Sequence, residues 1–261
     1  MNGEKELLEA DYTDFCALDY PCAYLPGRST RMLYRYSSAA DISFCSSVIR
    51  RGWRRFGNYY FYPICSGCSE CKSLRIDVER FRPSRSQKKA IKRNSATRMA
   101  VAEPSATKLH IELYNRYHLW KSRKDGWKYR EIDIAEYYEN FVAGAHEFGK
   151  EVLYFIDGRL AGVDLVDIVE DGLSAVYFYY DPDFARYSLG TYSLIYQIEA
   201  ARMMGLRYIY LGYWVDGCRA FAYKTGFEGL EILDGFPSQD EEPLWMDYGE
   251  YIAGRAMGCS S

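Results

Sequence analysis

Three regularly spaced cysteines lie directly before a strongly basic segment, and both features could do chemistry. Cys65-x-x-Cys68-x-x-Cys71 places three thiols at the spacing of metal ligands. The segment 80–93 (RFRPSRSQKKAIKR) follows with seven cations and no acid. A thiolate cluster beside a cationic helix predicts a metal-stabilised surface for a polyanion, and this directs attention to nucleic acid.

The cysteine spacing leaves the kind of metal open. A set of thiolates suits a structural zinc ion and an iron–sulfur cluster equally well. The usual ferredoxin run is excluded because it needs a cysteine at position 75, where this chain has Arg75. A fourth ligand must come from elsewhere, and Cys16 is one candidate. Reduced thiols without any metal are the alternative.

The basic segment is expected to form a helix that begins after Pro83. Ser84 and Gln87 have the spacing of a capping box, which satisfies the first backbone N–H groups of a helix. Four cations then follow at i, i+3, i+4 and i+7, which is one helical face: Arg85, Lys88, Lys89 and Lys92. The alternative interpretation is an ordinary solvated face.

Charge is distributed very unevenly along the chain. Residues 28–98 contain 17 Lys and Arg against four Asp and Glu, a local net charge of +13. The remaining residues contain 16 Lys and Arg against 32 acids, so the net charge of the whole chain is only -3. This separation favours phosphate binding by the four-cation face over a merely solvated face.

Length and composition predict a cytoplasmic protein of one large domain or two modest ones. The chain has 261 residues, which is enough for a substantial core. Residues 1–11 are too acidic for a secretory signal, and no apolar run is long enough for a membrane span. Eight cysteines in such a chain are more typical of thiols or metal ligands than of disulfides. With three histidines, a His-centred catalytic triad is disfavoured.

The second half of the chain alternates between strand and helix patterns. Strands are predicted over 152–156, 160–168 and 173–180, with an Asp157-Gly158 hairpin turn between the first two. A long amphipathic helix (188–204), a strand (207–213), a short helix (219–225) and a last strand (227–233) follow. This order is the layout of a GNAT-like acyltransferase fold of the α/β class.

Several sequence motifs, taken together and in order, are more specific than that layout. They are 21–28 (PCAYLPGR), 52–57 (GWRRFG), the three-cysteine motif, 83–87 (PSRSQ), 173–182 (LSAVYFYYDP), 188–192 (SLGTY) and 210–215 (YLGYWV). This set resembles the bacterial aminoacyl-tRNA–protein transferases, and most of all the aspartate/glutamate leucyltransferase branch, relatives of the eukaryotic arginyltransferases.

The resemblance implies a function and a domain organisation. Such enzymes move an amino acid from its tRNA to the N-terminal amine of proteins that begin with Asp or Glu, marking them for degradation. The implied organisation is an N-terminal cysteine-containing basic domain (1–103), a GNAT-like catalytic domain (104–236) and an acidic peripheral tail (237–261). Since a family motif carries Cys22, the resemblance makes Cys22 the preferred fourth ligand beside Cys65, Cys68 and Cys71.

The chemistry of such a transfer needs few catalytic groups and no cofactor. The ester is already activated on the tRNA, so the enzyme must align the amine, handle a proton and stabilise an oxyanion. The residues expected to position groups and handle protons lie at the ends of two predicted strands: Tyr179, Tyr180, Asp181 and Tyr213. Cations able to bind an acidic N-terminal residue are Arg28, Arg31, Arg54 and Lys224.

Three alternatives remain at this stage. The donor amino acid could be arginine, for which Asp164 or Asp167 would provide a carboxylate. A CoA-dependent acetyltransferase would need a glycine-rich pyrophosphate loop before the long helix, but residues 186–191 (RYSLGT) have one glycine and bulky neighbours. A non-catalytic nucleic-acid-binding protein would explain the basic half and leave the acyltransferase-like half without a role.

Overall fold

The computed structural model describes residues 12–258, so the acidic N-terminal segment 1–11 and Cys259 lie outside the described residues. The strands are β1 (Thr13–Cys16), β2 (Tyr20–Pro21), β3 (Ser29–Thr30), β4 (Met32–Tyr36), β5 (Arg54–Phe56), β6 (Tyr59–Pro63), β7 (Lys72–Asp77), β8 (Arg98–Ala102), β9 (Gly149–Ile156), β10 (Arg159–Val169), β11 (Gly172–Tyr180), β12 (Tyr208–Trp214), β13 (Leu230–Leu233) and β14 (Trp245–Asp247). The helices are α1 (Ile42–Arg50), α2 (Arg85–Arg93), α3 (Lys108–Asp125), α4 (Ile134–Tyr137), α5 (Leu189–Met203) and α6 (Tyr248–Gly258).

An eight-stranded sheet in the order β14-β13-β7-β12-β11-β10-β9-β8 organises the described residues. All its strand pairs are antiparallel except β11 with β12, which run parallel because the long helix α5 connects them. The predicted α/β class is confirmed, and the order of β9 to β13 follows the acyltransferase layout. β7 and β8 precede residue 104 in the chain and nevertheless belong to this large sheet.

Helices cover both faces of the large sheet. On one face, α5 packs Leu194 and Ile198 against the buried side chains of β7, β12 and β13. On the other face, α3 packs Leu113 and Tyr117 against β10 and β11. Because both faces are covered, β10 is almost continuously buried, since each successive side chain meets a different helix layer.

A smaller four-stranded sheet, in the order β1-β4-β6-β5, packs beside the large one together with α1. The basic pattern of residues 47–56 (SVIRRGWRRF) predicts a short helix there, but the helix spans Ile42–Arg50 instead. Asp41 caps its start by accepting a hydrogen bond from the Phe44 N–H, and Gly52 ends it with a φ of 87°. Because α1 ends here, the next strand, β5, begins at Arg54.

Four segments show how local sequence shapes the remaining elements. The capping box of Ser84 and Gln87 is present at the start of α2, as the sequence predicts. The sequence predicts a helix over 134–144, and the structure forms the short α4 followed by a π-helical turn, Tyr138–Val142, in its place. The segments Pro182–Tyr187 and Arg219–Gly226 form 3-10 helices on either side of the α5–β12 unit.

Candidate active site

The parallel strands β11 and β12 separate from each other near the middle of the sheet. They pair only over Gly172–Ser174 and Tyr208–Tyr210. Just beyond this point each strand carries a β-bulge, which leaves Val176 unpaired on β11 and Leu211 unpaired on β12. The resulting splay exposes backbone groups that a regular sheet would satisfy internally, and this is where donor and acceptor can meet in an acyltransferase fold.

The side chain of Arg54 occupies the splay. From β5 its Nη2 donates hydrogen bonds to the carbonyl oxygens of Ala175 at 2.6 Å and Val176 at 2.9 Å. Burial lowers the pKa of its guanidinium, and Tyr213 is the first of several neighbours that oppose this shift. The Nη1 atom is buried and has no hydrogen-bond partner among residues 12–258. A donor of this kind is available to an anionic ligand.

Gly212 makes room for Arg54. Its φ is 68°, a backbone conformation that favours glycine. A Cβ placed on this residue would lie 2.5 Å from the Cζ of Arg54, well inside van der Waals contact. Both the backbone conformation and the space therefore require glycine here. This explains physically the small residue in the motif 210–215 (YLGYWV).

Lys224 approaches the same bulge from the 3-10 helix that follows β12. Its Nζ donates to the carbonyl oxygens of Leu211 and Tyr213, both at 2.7 Å, which are the neighbours of Gly212. Burial lowers the pKa of Lys224 well below its usual value, and the charge of Arg54 lowers it further. Two cations therefore share the splay, and the side-chain hydrogen bonds they make are to backbone carbonyls.

Tyrosines surround these two cations. The hydroxyl of Tyr213 donates to the Phe61 carbonyl at 2.9 Å, and burial raises its pKa well above the usual value. Tyr24 reaches the site from the loop between β2 and β3, where its ring packs edge-on against Phe221 at 4.9 Å.

On β11, Tyr177 is hydrogen-bonded to the Nε2 of His118 at 2.8 Å. Burial lowers the pKa of His118 to about 4, so the imidazole is neutral near pH 7.

This arrangement can bind and polarise an anion. Two cations held by backbone carbonyls do not neutralise each other, so a carboxylate or oxyanion between them would relieve their repulsion. Tyr213 remains protonated, and its hydroxyl hydrogen is already donated, so the oxygen is left as an acceptor. The splay therefore offers donors for a carboxylate and an acceptor for an amine N–H within one site.

The other predicted catalytic residues lie around β11 with different contacts. Tyr179 is fully buried and shares a 2.6 Å hydrogen bond with Tyr137 in the core beneath α3. Asp181 caps the following 3-10 helix and forms salt bridges of 3.1 Å with Arg116 and with Arg159. Tyr180 is half-buried and stacks on Phe178. The structure thus brings Tyr213, and not these three, next to Arg54.

The four predicted substrate-binding cations separate into two pairs. Arg54 and Lys224 meet at the splay as described. Arg28 and Arg31 are exposed and line a cavity of about 320 Å³ beside Cys65 and Cys68. Arg31 also forms a salt bridge with Asp19. The geometry therefore assembles one pair of cations for small-anion binding and leaves the other pair at the cysteine-containing surface.

The four predicted tRNA-binding cations do form one exposed face of α2. Gln87 and Ala90 are the buried residues of this helix, and its remaining side chains are turned outward. Within the described part of the chain, none of Arg85, Lys88, Lys89 and Lys92 forms a salt bridge. The neighbouring Arg93 bonds to the Arg186 carbonyl and to the Ser188 hydroxyl, so this face lies beside the start of α5.

The predicted metal ligands occupy one neighbourhood. Burial, and then the charges of Cys22, Cys65 and Cys68, raise the pKa of the Cys71 thiol to about 12. The Sγ of Cys22 accepts a hydrogen bond from the Leu25 N–H at 3.4 Å, and that of Cys65 accepts from the Arg31 N–H at 3.5 Å. Among residues 12–258, no group of three or more His, Cys, Asp or Glu side chains has the arrangement of a metal site.

The two aspartates that could read an arginyl donor are both buried and engaged. Asp167 forms a two-point salt bridge with Arg55, with distances of 2.6 and 2.8 Å. Asp164 accepts a 2.8 Å hydrogen bond from Gln197, and burial raises its pKa to about 7. Both carboxylates therefore already have partners inside the protein.

Sequence reasoning missed several groups at this site. Tyr24 and Tyr177 lie inside the motifs 21–28 and 173–182, so those motifs contained a signal for them. No sequence pattern predicts the two bulges, because they depend on strand register. Nor does any pattern predict the hydrogen bond between His118 and Tyr177, because these residues are 59 positions apart in the chain.

Family comparisons cover most of the chain. The model for "Arginine-tRNA-protein transferase, N terminus" matches residues 20–89, and the C-terminal model of the same family matches residues 109–234. A protein of Campylobacter jejuni named aspartate/glutamate leucyltransferase is 41% identical over 232 residues, which is 88% of this chain and 97% of that protein. A namesake from Helicobacter hepaticus is 41% identical over 87% of this chain and 94% of its own length.

Solved structures give weaker similarities. FemX matches at a TM-score of 0.48 with 9% identity, over 70% of this chain and 63% of that chain. The PaiA N-acetyltransferase of Thermoplasma acidophilum, solved with coenzyme A, matches at a TM-score of 0.33 with 18% identity, over 49% of this chain and 88% of that one. No helix among the residues described is long and apolar enough to cross a membrane.

Proposed function

Because the chain belongs to the arginine-tRNA-protein transferase family, we propose that it transfers leucine from Leu-tRNA to the N-terminal amine of proteins beginning with Asp or Glu. Membership of this family confirms the resemblance that the motifs indicated, and the protein is an aminoacyltransferase. The finer assignment to leucine and to acidic N-termini is supported by the relatives, which are named aspartate/glutamate leucyltransferases, and by the splay.

The observation that carries the acceptor assignment is the pair of cations at the splay, where Lys224 is buried and Arg54 is half-buried. Arg54 keeps a buried donor, Nη1, without a partner in the described chain, and a buried donor left unsatisfied costs about 1–3 kcal/mol. Lys224 has donated two N–H groups to carbonyls and retains one. The side-chain carboxylate of an N-terminal Asp or Glu supplies the missing acceptor for both.

The reaction then needs only alignment and charge stabilisation. The α-amine, after losing a proton, attacks the ester carbonyl carbon, and a C–N bond forms as the carbonyl oxygen becomes an oxyanion. The intermediate collapses by breaking the C–O bond to the ribose, whose oxygen takes up a proton to leave free tRNA. We assign the Tyr213 oxygen to hold an N–H of the attacking amine, while Tyr179, Tyr180 and Asp181 maintain the shape of the β11 end.

The donor's tRNA body is assigned to α2. Its four outward cations have no acidic partner among the residues described, so they attract phosphates without competition from the protein. The face borders the start of α5, which in this fold lies next to the wide end of the splay. A tRNA bound there would have its aminoacyl end within reach of the candidate site.

Two observations disfavour the rival donors. Arg54 fills the splay with a guanidinium, and the segment before α5 has bulky Tyr187 with a fully buried Leu189 where a phosphate cradle would be needed. Coenzyme A therefore lacks a place to bind. Asp167 is paired with Arg55 and Asp164 is almost fully buried, so neither gives a charged arginyl side chain an accessible carboxylate, and leucine is favoured.

We further propose that Cys22, Cys65, Cys68 and Cys71 hold a structural zinc ion or iron–sulfur cluster. Cys22, Cys65 and Cys68 all lie close enough to raise the pKa of Cys71, and backbone N–H groups already point at two of the sulfur atoms, as they do at metal-bound thiolates. Metal binding would draw the four thiols together and stabilise this surface, with no part in the transfer itself. Metal analysis of the purified protein and of the Cys68→Ser variant tests this proposal.

The biological setting follows from the substrates. Aminoacyl-tRNA is a cytoplasmic molecule, so we place the reaction in the cytoplasm. Adding leucine changes the N-terminal residue that other proteins see, which suits a mark for degradation. Measuring the half-life of an Asp-initiated reporter with and without the enzyme tests that role.

Single-turnover transfer to an Asp-initiated peptide is the decisive experiment. Labelled Leu-tRNA, labelled Arg-tRNA and labelled acetyl-CoA are supplied in parallel, and an Asn-initiated peptide serves as the matched control. We expect label from Leu-tRNA only, and on the Asp peptide only. Transfer from Arg-tRNA would replace leucine by arginine in the assignment, and transfer from acetyl-CoA would overturn the class of donor.

A further inference from the structure

The second half of α3 and the turn after it carry two tryptophans, each paired with a lysine. The Nζ of Lys124 lies 4.4 Å from the centre of the Trp120 ring, and the Nζ of Lys121 lies 4.4 Å from the centre of the Trp127 ring. Both rings are half-buried, so one part of each remains accessible. These four residues are called the α3 aromatic patch below.

The charge around the patch is strongly positive. Between residues 117 and 130 the only acid is Asp125, and it is already in a salt bridge with Lys121. Arg123 and Lys128 are exposed, and neither has an acidic partner in the part of the chain that the structure describes. The patch therefore combines planar rings with uncompensated cations, which is the combination that binds nucleic acid with its bases unpaired.

The patch continues inward to the candidate site. The Trp127 ring lies 6.0 Å from that of His118, and His118 stacks nearly parallel on Tyr177 at 6.0 Å. Tyr177 follows Val176, whose carbonyl oxygen holds Arg54. A chain of rings thus leads from the surface of α3 to the strand splay. The α2 face differs, because its four outward cations have no aromatic neighbour on their own helix.

We propose that the α3 aromatic patch binds the single-stranded 3′ end of the donor tRNA, an inference that rests on the proposed transferase function. The unpaired bases stack on Trp120 and Trp127, while Lys124, Arg123 and Lys128 meet the phosphates. Bases in an RNA duplex hide their faces from such rings, so the patch selects the unpaired end. The α2 face binds the backbone of the duplex, and together the two surfaces direct the aminoacyl ester into the splay.

The test uses the full chain and fluorescently labelled RNA in binding titrations. One probe is the single-stranded tetranucleotide ACCA, and the other is a blunt RNA hairpin without an overhang. The variant Trp120→Leu/Trp127→Leu should bind the tetranucleotide about tenfold more weakly or worse, because stacking contributes about 1–3 kcal/mol per base. Its affinity for the hairpin should stay within about twofold. The Trp120→Phe/Trp127→Phe variant keeps the ring faces and should restore most of the binding.

Matched controls lie on the same side of the molecule. Tyr138→Leu removes an exposed ring outside the patch, and Lys108→Ala removes an exposed lysine at the first turn of α3. Both should bind the tetranucleotide as the unmodified protein does. Thermal melting of every variant shows whether it is folded before its affinity is interpreted.

Transfer kinetics separate this inference from the function on which it rests. In the Leu variant the KM for Leu-tRNA should rise about tenfold or more, with the KM for the Asp peptide unchanged. Unchanged tetranucleotide binding and tRNA KM in a folded Leu variant would overturn the patch, and a raised peptide KM alone would reassign it to the acceptor. If the unmodified protein transfers no leucine while the rings still bind the tetranucleotide, the proposed function falls and the RNA site stands.

Discussion

The strand splay and the α2 face both present cations, but in opposite physical settings. Lys224 is buried, and Arg54 is half-buried with its Nη1 atom fully enclosed. Both side chains are bonded to backbone carbonyls, and burial lowers the pKa of each. The cations of α2 are exposed and have no salt-bridge partner among the described residues. Water screens the second group, so it attracts any polyanion over a distance and with little discrimination.

The difference shows how burial converts charge into selectivity. A buried guanidinium has lost its hydration, so only a ligand with the right acceptor in the right place compensates for that loss. An exposed lysine keeps its hydration and gains a modest amount from any phosphate. The proposed function therefore assigns the same residue types to two tasks, the choice of an acidic side chain at the splay and the binding of a tRNA body at α2.

Removing the buried arginine should give the largest effect. We expect Arg54→Met to lower kcat/KM for an Asp-initiated peptide by about 10²–10³-fold, since a lost buried charge–carboxylate contact costs about 2–5 kcal/mol. The preference for Asp over Asn peptides should largely disappear in the same variant. Steady-state kinetics with both peptides measures both effects.

The matched control for this prediction is Arg51→Met. Arg51 is also bonded to backbone carbonyls, those of Ser238, Gln239 and Glu241, but away from the splay. It should lower stability slightly and leave the Asp preference intact. Equal losses of activity in the two variants would show that burial at the splay has no special role.

Reversing the exposed charges should give the next largest effect. The variant Arg85→Glu/Lys88→Glu/Lys89→Glu/Lys92→Glu should bind tRNA about 10²-fold more weakly at low salt, and the dependence of log K on log salt should become shallower by about one for each lost phosphate contact. Its kcat at saturating tRNA should stay within about threefold. Binding titrations at several salt concentrations check this, and an unchanged slope would remove α2 from the tRNA surface.

A third prediction tests the cost of burying a charge without a cation. Burial raises the pKa of Asp164 to about 7, so the folded state holds its proton where the unfolded chain, with a pKa near 3.8, releases it. The contribution of Asp164 to the free energy of unfolding is therefore fully present below about pH 4 and is lost as the pH rises through 7. Asp164→Asn should remove this loss and raise the free energy of unfolding at pH 8 by about 1–2 kcal/mol.

Asp167→Asn is the matched comparison on the same strand. That carboxylate has a buried cationic partner in Arg55, so removing its charge should destabilise the fold by about 3 kcal/mol or more. Urea denaturation of both variants at pH 5 and pH 8 measures the pair. Destabilisation of Asp164→Asn at pH 8 would contradict the raised pKa of Asp164.

The smallest expected effect concerns single exposed lysines. Lys89→Glu should weaken tRNA binding about threefold, whereas Lys108→Glu, on an exposed helix position away from α2, should change it by less than about 1.5-fold. The comparison distinguishes a lysine that lies among other cations, Lys89, from one that lies away from the α2 face, Lys108. Equal effects would indicate that net charge, and not the α2 face, controls affinity.

Much of the local structure could be predicted from the sequence because it depends on near neighbours. The capping box at Ser84, the hairpin turn at Asp157-Gly158 and the ends of β9, β10, β11 and α5 agree with prediction to within a few residues. The basic pattern of residues 47–56 predicts α1 too late in the chain. The helix begins earlier because Asp41, which precedes that pattern, is its N-cap.

The composition of the candidate site was only partly predictable. Arg54 and Lys224 stood among four cations that the sequence could not rank. Tyr179 and Asp181 looked equivalent to Tyr213, yet the alternation of β11 turns Tyr179 into the core and the following helix uses Asp181 as a cap. The sequence pattern does not distinguish these cases because each depends on what packs against the strand.

The sequence by itself determined the family, the α/β class, the exposed cationic face of α2 and the residue types available for acyl transfer, since all of these follow from motifs and short-range periodicity. Only the tertiary structure decided which cations meet. β7 enters the large sheet, β11 and β12 separate after three residue pairs, and two bulges leave carbonyls that receive Arg54 and Lys224. Strand pairing over more than a hundred residues brings these groups together, and no local sequence pattern specifies such pairing.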